Sequence, residues 1–425
     1  MKLIEIAEEQ VKPLGYKIDK ARQVIQQGFS VSRFCPALAF SGGKDSTVLW
    51  HLIRTHFPEQ SAHLKIIFGN TGVEYPESLQ FARQLGRKWG GDGFFEARPG
   101  ETEQPGYRYA AQRLILDYLI ETGEVKKVLQ EGGKLKTTDA LERACPPRLR
   151  EEFETPHPFI KWTWPEGTRK SFFWCVDQYG WPILGKAFSK LNARRINIDC
   201  FLRFSESKSE DPKLLAYYDV LREVKISQAC CDILKKEPSE RVQAGLKVDV
   251  MFKGLMAAES RTRQTNFATR GYLFESSRAY LSGNSFYHCN PLSIWTDDDI
   301  WTYIREYDVP YSPLYDMGYE DADGDCHCIK RNGCLGCCTD ILYLNNHMST
   351  LRHTHPKAWN TFMRMGMAEE LRKLQQLRRN GQMSLMDYLP VEQLIEDRPC
   401  AFDSINKLIL SEEEWEEPED TENAD

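Results

Sequence analysis

The chain has 425 residues, 41% hydrophobic and 28% charged, with a net charge of −7, so it can bury a sizeable core and is long enough for two or three structural units. No apolar run reaches the roughly 18 residues of a membrane span, and the stretch MKLIEIAEEQVKPLG carries acids where a secretory leader is basic and then apolar. A soluble, cytoplasmic protein without a membrane partner is expected. In that compartment the 13 cysteines are expected to stay reduced, the clustered ones serving metal ligation or catalysis. The negative balance weighs against unaided binding to a nucleic-acid backbone.

In chain order, the first clear element is the apolar run PALAF, a predicted strand over 36–40. After SGGKDS, the stretch TVLWHLIRTHF places Val48, Leu49, Leu52 and Ile53 on one helical face. LKIIFGN is a second short strand ending at Asn70, followed by the turn-like TGVEYPES and the amphipathic LQFARQLGRKW. Strand, loop and helix, repeated, predict βαβ units and an α/β fold: a Rossmann-like parallel sheet with flanking helices. Residues 1–94 read as an N-terminal helix and the first half of a nucleotide-binding domain. From 95 to 180 turn-rich segments surround the helical AAQRLILDYLIETG, which predicts an inserted subdomain. Residues 181–295 read as the second half of the nucleotide domain, and 296–408 as a mostly helical part containing a cysteine-rich loop. The segment 409–425 is an acidic tail expected to be disordered; the last fifteen residues hold nine acids and no base. Without it the charge is nearly balanced, and a nucleic-acid partner stays open.

The loop Ser41, Gly42, Gly43, Lys44, Asp45, Ser46 carries the strongest chemistry. Glycines between a strand and a helix let the backbone approach a ligand, and the helix start attracts anions. Phosphate is the expected occupant, with Lys44 as a cation, Asp45 as a Mg²⁺ ligand, and Ser41 and Ser46 as hydroxyl donors. The GxxxxGK[ST] spacing of a Walker A loop is absent. Asn70, Thr71, Gly72 and Glu74 follow the second strand, where an open α/β sheet places its ligand crevice. Arg261 and Arg263 could together clamp a phosphate or sulfate.

SGGKDS after a strand resembles the pyrophosphate loop (PP-loop) of the adenine-nucleotide α-hydrolase-like superfamily. FGNTGVEYPE at 68–77, GLMAAESRTR at 254–263, NPLSIWTDDDIWTYIREYDVPYSPLYDMGY at 290–319 and CCDILKKEP at 230–238 narrow the resemblance to the phosphoadenosine-phosphosulfate (PAPS) reductase family. It is collinear over about 36–95 and 182–340. It implies an adenine nucleotide, ATP or a sulfonucleotide (APS or PAPS), with Lys44, Asp45, Arg261 and Arg263 as the reacting-end residues. It implies ligand contacts by Ser41 to Ser46, Asn70, Thr71, Gly72 and Glu74, and by Lys186 in WPILGKAFS. In the iron–sulfur branch the adjacent cysteines and a later CxxC hold a [4Fe–4S] cluster, here Cys230, Cys231, Cys334 and Cys337. The chain departs from the pattern in an acidic extra loop, EDADGDCHCIKRN, so a local site of Cys326, Cys328, Cys334 and Cys337 for zinc or iron–sulfur stays open.

Reductases of the family carry a C-terminal ECGxH-type tail whose cysteine attacks sulfur. Here the last cysteine is Cys400, flanked by acids, with Cys338 as another possible substitute. A Lys–Asp pair in the loop suits Mg²⁺-assisted cleavage of ATP between the α- and β-phosphates. The favoured expectation is therefore an ATP-using iron–sulfur enzyme that adenylates an acceptor before sulfur insertion, resembling the DNA-phosphorothioation sulfur-transfer proteins. A sulfur-donor protein and a nucleic-acid or protein acceptor would be its partners. An APS/PAPS reductase forming sulfite is the alternative; a non-catalytic nucleotide-binding protein or a zinc-stabilised interaction protein is the third. Oligomeric state is not legible in the sequence.

Overall fold

The computed structural model describes residues 3–124, 142–156, 160–183, 227–276, 285–321, 323–339 and 347–379. Lys186, Cys400 and the 409–425 tail lie outside the described residues. The chain divides into two compact units: residues 1–100, 232–318 and 328–334 form the first, and residues 101–231, 319–327 and 335–425 the second.

The first unit is built on six strands: β1 (Pro36–Phe40), β2 (Lys65–Gly69), β3 (Phe94–Ala97) and, after the short strands β4 (Gly106–Tyr107) and β5 (Thr163–Trp164) of the other unit, β6 (Val250–Lys253), β7 (Leu273–Glu275) and β8 (Tyr287–Cys289). Their order is β3-β2-β1-β6-β8-β7. Every neighbouring pair runs parallel except β7 with β8. The sheet is thus mixed, an antiparallel edge strand on an otherwise parallel sheet, where sequence pattern suggested parallel strands throughout. The α/β, Rossmann-like class stands.

Period-two alternation explains why both faces are dry. Leu38, Phe40, Ile66, Phe68, Val250 and Phe252 point to one face, into a core shared with Ile6 of α1 (Leu3–Gln10), with Val24 and Ile25 of α2 (Leu14–Val31) and with Val48, Leu49, Leu52 and Ile53 of α3 (Lys44–His56). Ala37, Ile67, Ala97 and Met251 point to the other, against Val242 and Leu246 of the helix Glu237–Gly245 and its following turn. A parallel sheet covered on both faces needs such near-continuous apolar strands, and each fully buried aliphatic or aromatic side chain contributes on the order of 1.5–3 kcal/mol.

Chain direction reverses about β1: β2 and β3 lie to one side, β6 and β8 to the other. A doubly wound sheet opens its ligand crevice at such a switch point, outside the carboxyl ends of the strands. Ser41, Asn70, Arg98 and Gly254 all begin loops at that edge.

The second unit has its own core of Ala111, Ile115, Leu119, Cys145 and Phe153, with Tyr107 and Trp162 packed against it. The strands β4 (Gly106–Tyr107) and β5 (Thr163–Trp164) pair antiparallel. Asp177 ties the unit together, accepting from Arg108, from the Trp164 indole N–H at 2.7 Å and from Gln178. The helices His347–Thr354, Pro356–Phe362 and Ala368–Arg379 complete it. Among the described residues no helix is long and apolar enough to cross a membrane.

Candidate functional site

The loop between β1 and α3 is bent by Gly42, whose φ of 72° lies in the left-handed region and favours a residue without Cβ. Its hydroxyls are turned inward. Ser46 donates to the carbonyl of Gly43 at 2.9 Å, Thr47 donates to the same carbonyl at 3.0 Å, and Ser41 Oγ accepts from the Gly43 N–H at 3.2 Å. Ser41 and Ser46 therefore shape the loop as it stands, Ser41 as an acceptor and Ser46 as a donor. The first helical N–H, that of Lys44, donates to the Tyr315 hydroxyl at 3.1 Å. Burial lifts the Tyr315 phenol to about 12, against the pull of the Lys44 and Asn332 N–H groups directed at its oxygen.

Lys44 is 5% exposed and pairs with two carboxylates, Asp45 at 3.0 Å and Asp297 at 2.5 Å. Burial opposes its charge, but the two aspartates overcome burial and hold the ammonium above the ordinary lysine range. Burial raises the Asp45 carboxyl, with Lys44 pulling it back. Asp297 comes from the first turn of the helix Asp297–Glu306, which a Thr296–Asp299 capping box starts. Asp45 and Asp297 thus enclose an ammonium, and Mg²⁺ would have to displace it to use both.

The segment after β6 reaches the same loop. At Gly254 a Cβ would lie 2.9 Å from the carbonyl carbon and oxygen of Asp45, so only glycine lets the two backbones meet. Arg263, in the first turn of the helix Arg261–Arg270, pairs with Glu259, which also receives Arg331 at 3.3 Å. Burial and the nearby Arg331 press the Arg263 guanidinium down, and Asp45 supports it. Arg261 starts the helix and faces outward from its N-terminus.

At the end of β2, Asn70 and Thr71 are both 4% exposed. The Asn70 amide donates to Glu96, and its carbonyl accepts from the Gly72 N–H at 2.9 Å. The Glu74 carboxylate closes its own turn, accepting from the N–H and hydroxyl of Thr71 and from the N–H of Gly72. Burial disfavours the charge on Glu96, but hydrogen bonds from Arg83, Arg98 and Asn70 outweigh it and hold its pKa at about 2. Sequence reasoning singled out Asn70 and Glu74 but not Tyr315, Asp297 and Asn332, which reach the loop from 250 or more residues away, nor Arg331, which reaches Glu259; Asp297 and Tyr315 lie in the 290–319 block, but nothing in it marks them individually.

The cysteines divide between the units. Cys334, half-buried, lies in the first; its thiol sits 3.5 Å from the Thr71 hydroxyl, and its backbone bridges to Glu74. In the second, Cys230 is half-buried, Cys231 exposed, and Cys337 has its thiol 3.5 Å from the Thr339 hydroxyl. Four partly exposed thiols are the right donor type for an iron–sulfur cluster, yet among the described residues no three His, Cys, Asp or Glu side chains gather into a metal-holding group. Cys326 and Cys328 are exposed on a short strand, with His327 between them bonded to Asp321 at 2.7 Å. Cys338 is fully buried against Met367, which removes it as a substitute nucleophile. Cys145, Cys175 and Cys289 are buried, as expected for structural thiols.

The family model for the phosphoadenosine phosphosulfate reductase domain matches residues 35–133 and 185–331. An adenosine 5′-phosphosulfate reductase of Allochromatium vinosum is 36% identical over 103 residues, 24% of this chain and 35% of that protein. A phosphoadenosine 5′-phosphosulfate reductase of Xylella fastidiosa is 36% identical over 94 residues, 22% and 34% of the two chains. An adenosine 5′-phosphosulfate reductase of Staphylococcus epidermidis is 32% identical over 118 residues, 28% and 40%. The chain thus spans roughly a third of the length of the curated relatives it matches. The crystal structure of the phosphoadenylyl-sulfate reductase from Candida auris is also similar, at 12% identity and a TM-score of 0.33, over 74% of this chain and 90% of that one.

Proposed function

Because the chain belongs to the phosphoadenosine phosphosulfate reductase family, we propose that it is an enzyme acting on an adenosine 5′-phosphosulfate, with or without a 3′-phosphate. The relatives' names favour this reading over the ATP-dependent sulfur transfer that the loop alone suggested. The observation that carries it is the rim at the switch point. A glycine-bent loop there offers a lysine held in its charged form, and Arg263 approaches Asp45 of the same loop. Cations at that position suit a phosphate linked to sulfate, and they stabilise charge developing on the phosphate oxygen as the S–O bond breaks. Two electrons are required to yield sulfite and the nucleoside phosphate, and a dithiol protein is the proposed donor. Cys230, Cys231, Cys334 and Cys337 are the proposed ligands of a [4Fe–4S] cluster, a group that would supply electrostatic or redox support when bound. Iron and sulfide analysis of anaerobically purified protein checks them.

A second reading rests on one observation: Asp45 and Asp297 flank Lys44, a pair of carboxylates that a Mg·ATP substrate would use and a sulfonucleotide would not need. One assay separates the two. Anaerobic protein is given APS, PAPS or Mg·ATP with a dithiol, and sulfite and pyrophosphate are measured, with Lys44→Met as control. Sulfite from a sulfonucleotide, lost in the variant, is the expected result. Pyrophosphate from ATP without sulfite would replace the first reading with the second.

A further inference from the structure

The segment 328–334 makes contacts at three of the four loops of the rim, those after β1, β2 and β6. Ile329 is 5% exposed and its N–H donates to the carbonyl of Met317 at 2.9 Å, which anchors the segment's start. Arg331 donates to both the carbonyl and the carboxylate of Glu259. The Asn332 side chain donates to the carbonyl of Ser41 at 2.9 Å, and its own N–H points at the Tyr315 hydroxyl that also receives Lys44. Cys334 bridges to Glu74. Arg331, Asn332 and Cys334 thus seat this stretch on the segment before Arg261, on the phosphate loop and on the turn after β2.

Charge explains why this seat matters. Around the loop, Lys44 and Arg263 are two cations against the three carboxylates of Asp45, Asp297 and Glu259. That set alone carries one net negative charge. Arg331 brings it to balance, and its side chain is 68% exposed, so its guanidinium can turn from Glu259 to a ligand without leaving a buried carboxylate alone, since Arg263 already pairs with Glu259.

We propose that Arg331 is an anion-binding residue of the nucleotide site, delivered to the phosphate loop by the Asn332 contact with Ser41 and Tyr315. The assignment rests on the nucleotide reading above and specifies how the site holds the ligand's negative end. An arginine offers a planar fork that suits phosphate and sulfate oxygens alike.

Binding to the full-length protein is measured by calorimetry with three probes: APS, ATP and uncharged adenosine. For whichever nucleotide the wild type binds, Arg331→Gln should weaken it about tenfold, about 1.4 kcal/mol, and leave adenosine unchanged. Arg331→Lys should recover part of the loss. Asn332→Ala should weaken the nucleotide similarly and add little on top of Arg331→Gln, because both act through the same guanidinium. Unchanged nucleotide affinity in Arg331→Gln would overturn the assignment while leaving the proposed function intact, as would equal losses for adenosine and nucleotide. A wild type that binds adenosine but neither nucleotide would sink the proposed function, and this assignment with it.

Discussion

Gly254→Ala is the sharpest perturbation of the candidate site that leaves its chemistry untouched. The added methyl would stand 2.9 Å from the carbonyl carbon and oxygen of Asp45 and 3.1 Å from the Ser46 nitrogen. Carbon atoms in contact rest at roughly 3.5–4.0 Å, so the overlap approaches an ångström, and every obstacle is backbone. No rotamer change relieves it. Either β6 or the phosphate loop must shift, at the roughly 1–3 kcal/mol typical of overpacking. If the strain is borne by the fold, Tm falls by several degrees, at roughly 2–4 °C per kcal/mol for a unit of this size. If the loop yields instead, nucleotide affinity falls by about tenfold or more. Thermal unfolding and nucleotide titration are run on the variant beside Gly245→Ala, where a Cβ meets nothing within 4 Å and stability should be unchanged or slightly higher. A Gly254→Ala protein with wild-type Tm and affinity would refute the claim that these two loops are locked backbone to backbone.

Three further outcomes follow from titratable groups. Burial lowers His288 to about 4, so it folds neutral; stability it contributes is present above its ordinary value near 6.5 and is lost as pH falls through 4. Glu96, held near 2, contributes stability that is present above about 4.5 and fades below it, so the Tm gap between wild type and Glu96→Gln should close between pH 4.5 and 2. A gap independent of pH would contradict the Glu96 hydrogen-bond set. Burial brings Lys253, the last residue of β6 at the crevice, down to about 8. An amine-acylating reagent at pH 8 should therefore modify Lys253 ahead of the surface lysines, as peptide mass mapping would read, and bound nucleotide should protect it. Labelling no faster than the average lysine would place its amine in water.

Local pattern made much of this protein legible. PALAF and LKIIFG are short runs that must be covered on both faces, and they became β1 and β2 of a parallel sheet. Val48, Leu49, Leu52 and Ile53 recur at helical spacing and are all fully buried in α3. The loop between these elements was recognisable because glycine geometry and a following helix are properties of six consecutive residues. Strand partners are not such a property, and the antiparallel edge strand β7 is decided by pairing across the sheet rather than by its own residues.

The same limit applies to the site. Ser41 and Ser46 looked like phosphate donors in isolation; in the folded loop Ser46 donates to the Gly43 carbonyl and Ser41 accepts from the Gly43 N–H. Glu74, expected as a ligand contact, also satisfies the N–H groups of its own turn, a bond pattern that only the folded turn reveals. Asp297 and Tyr315 lie in a block that the resemblance marked, but their contacts with Lys44, like that of Asn332 with Ser41 and of Arg331 with Glu259, exist only in the tertiary fold. Sequence by itself determines where the chain bends, which faces must be dry and which residue types are available. Which charges meet is decided by contacts between residues far apart in the chain, whose energies depend on a burial and a distance that exist only once the sheet has closed.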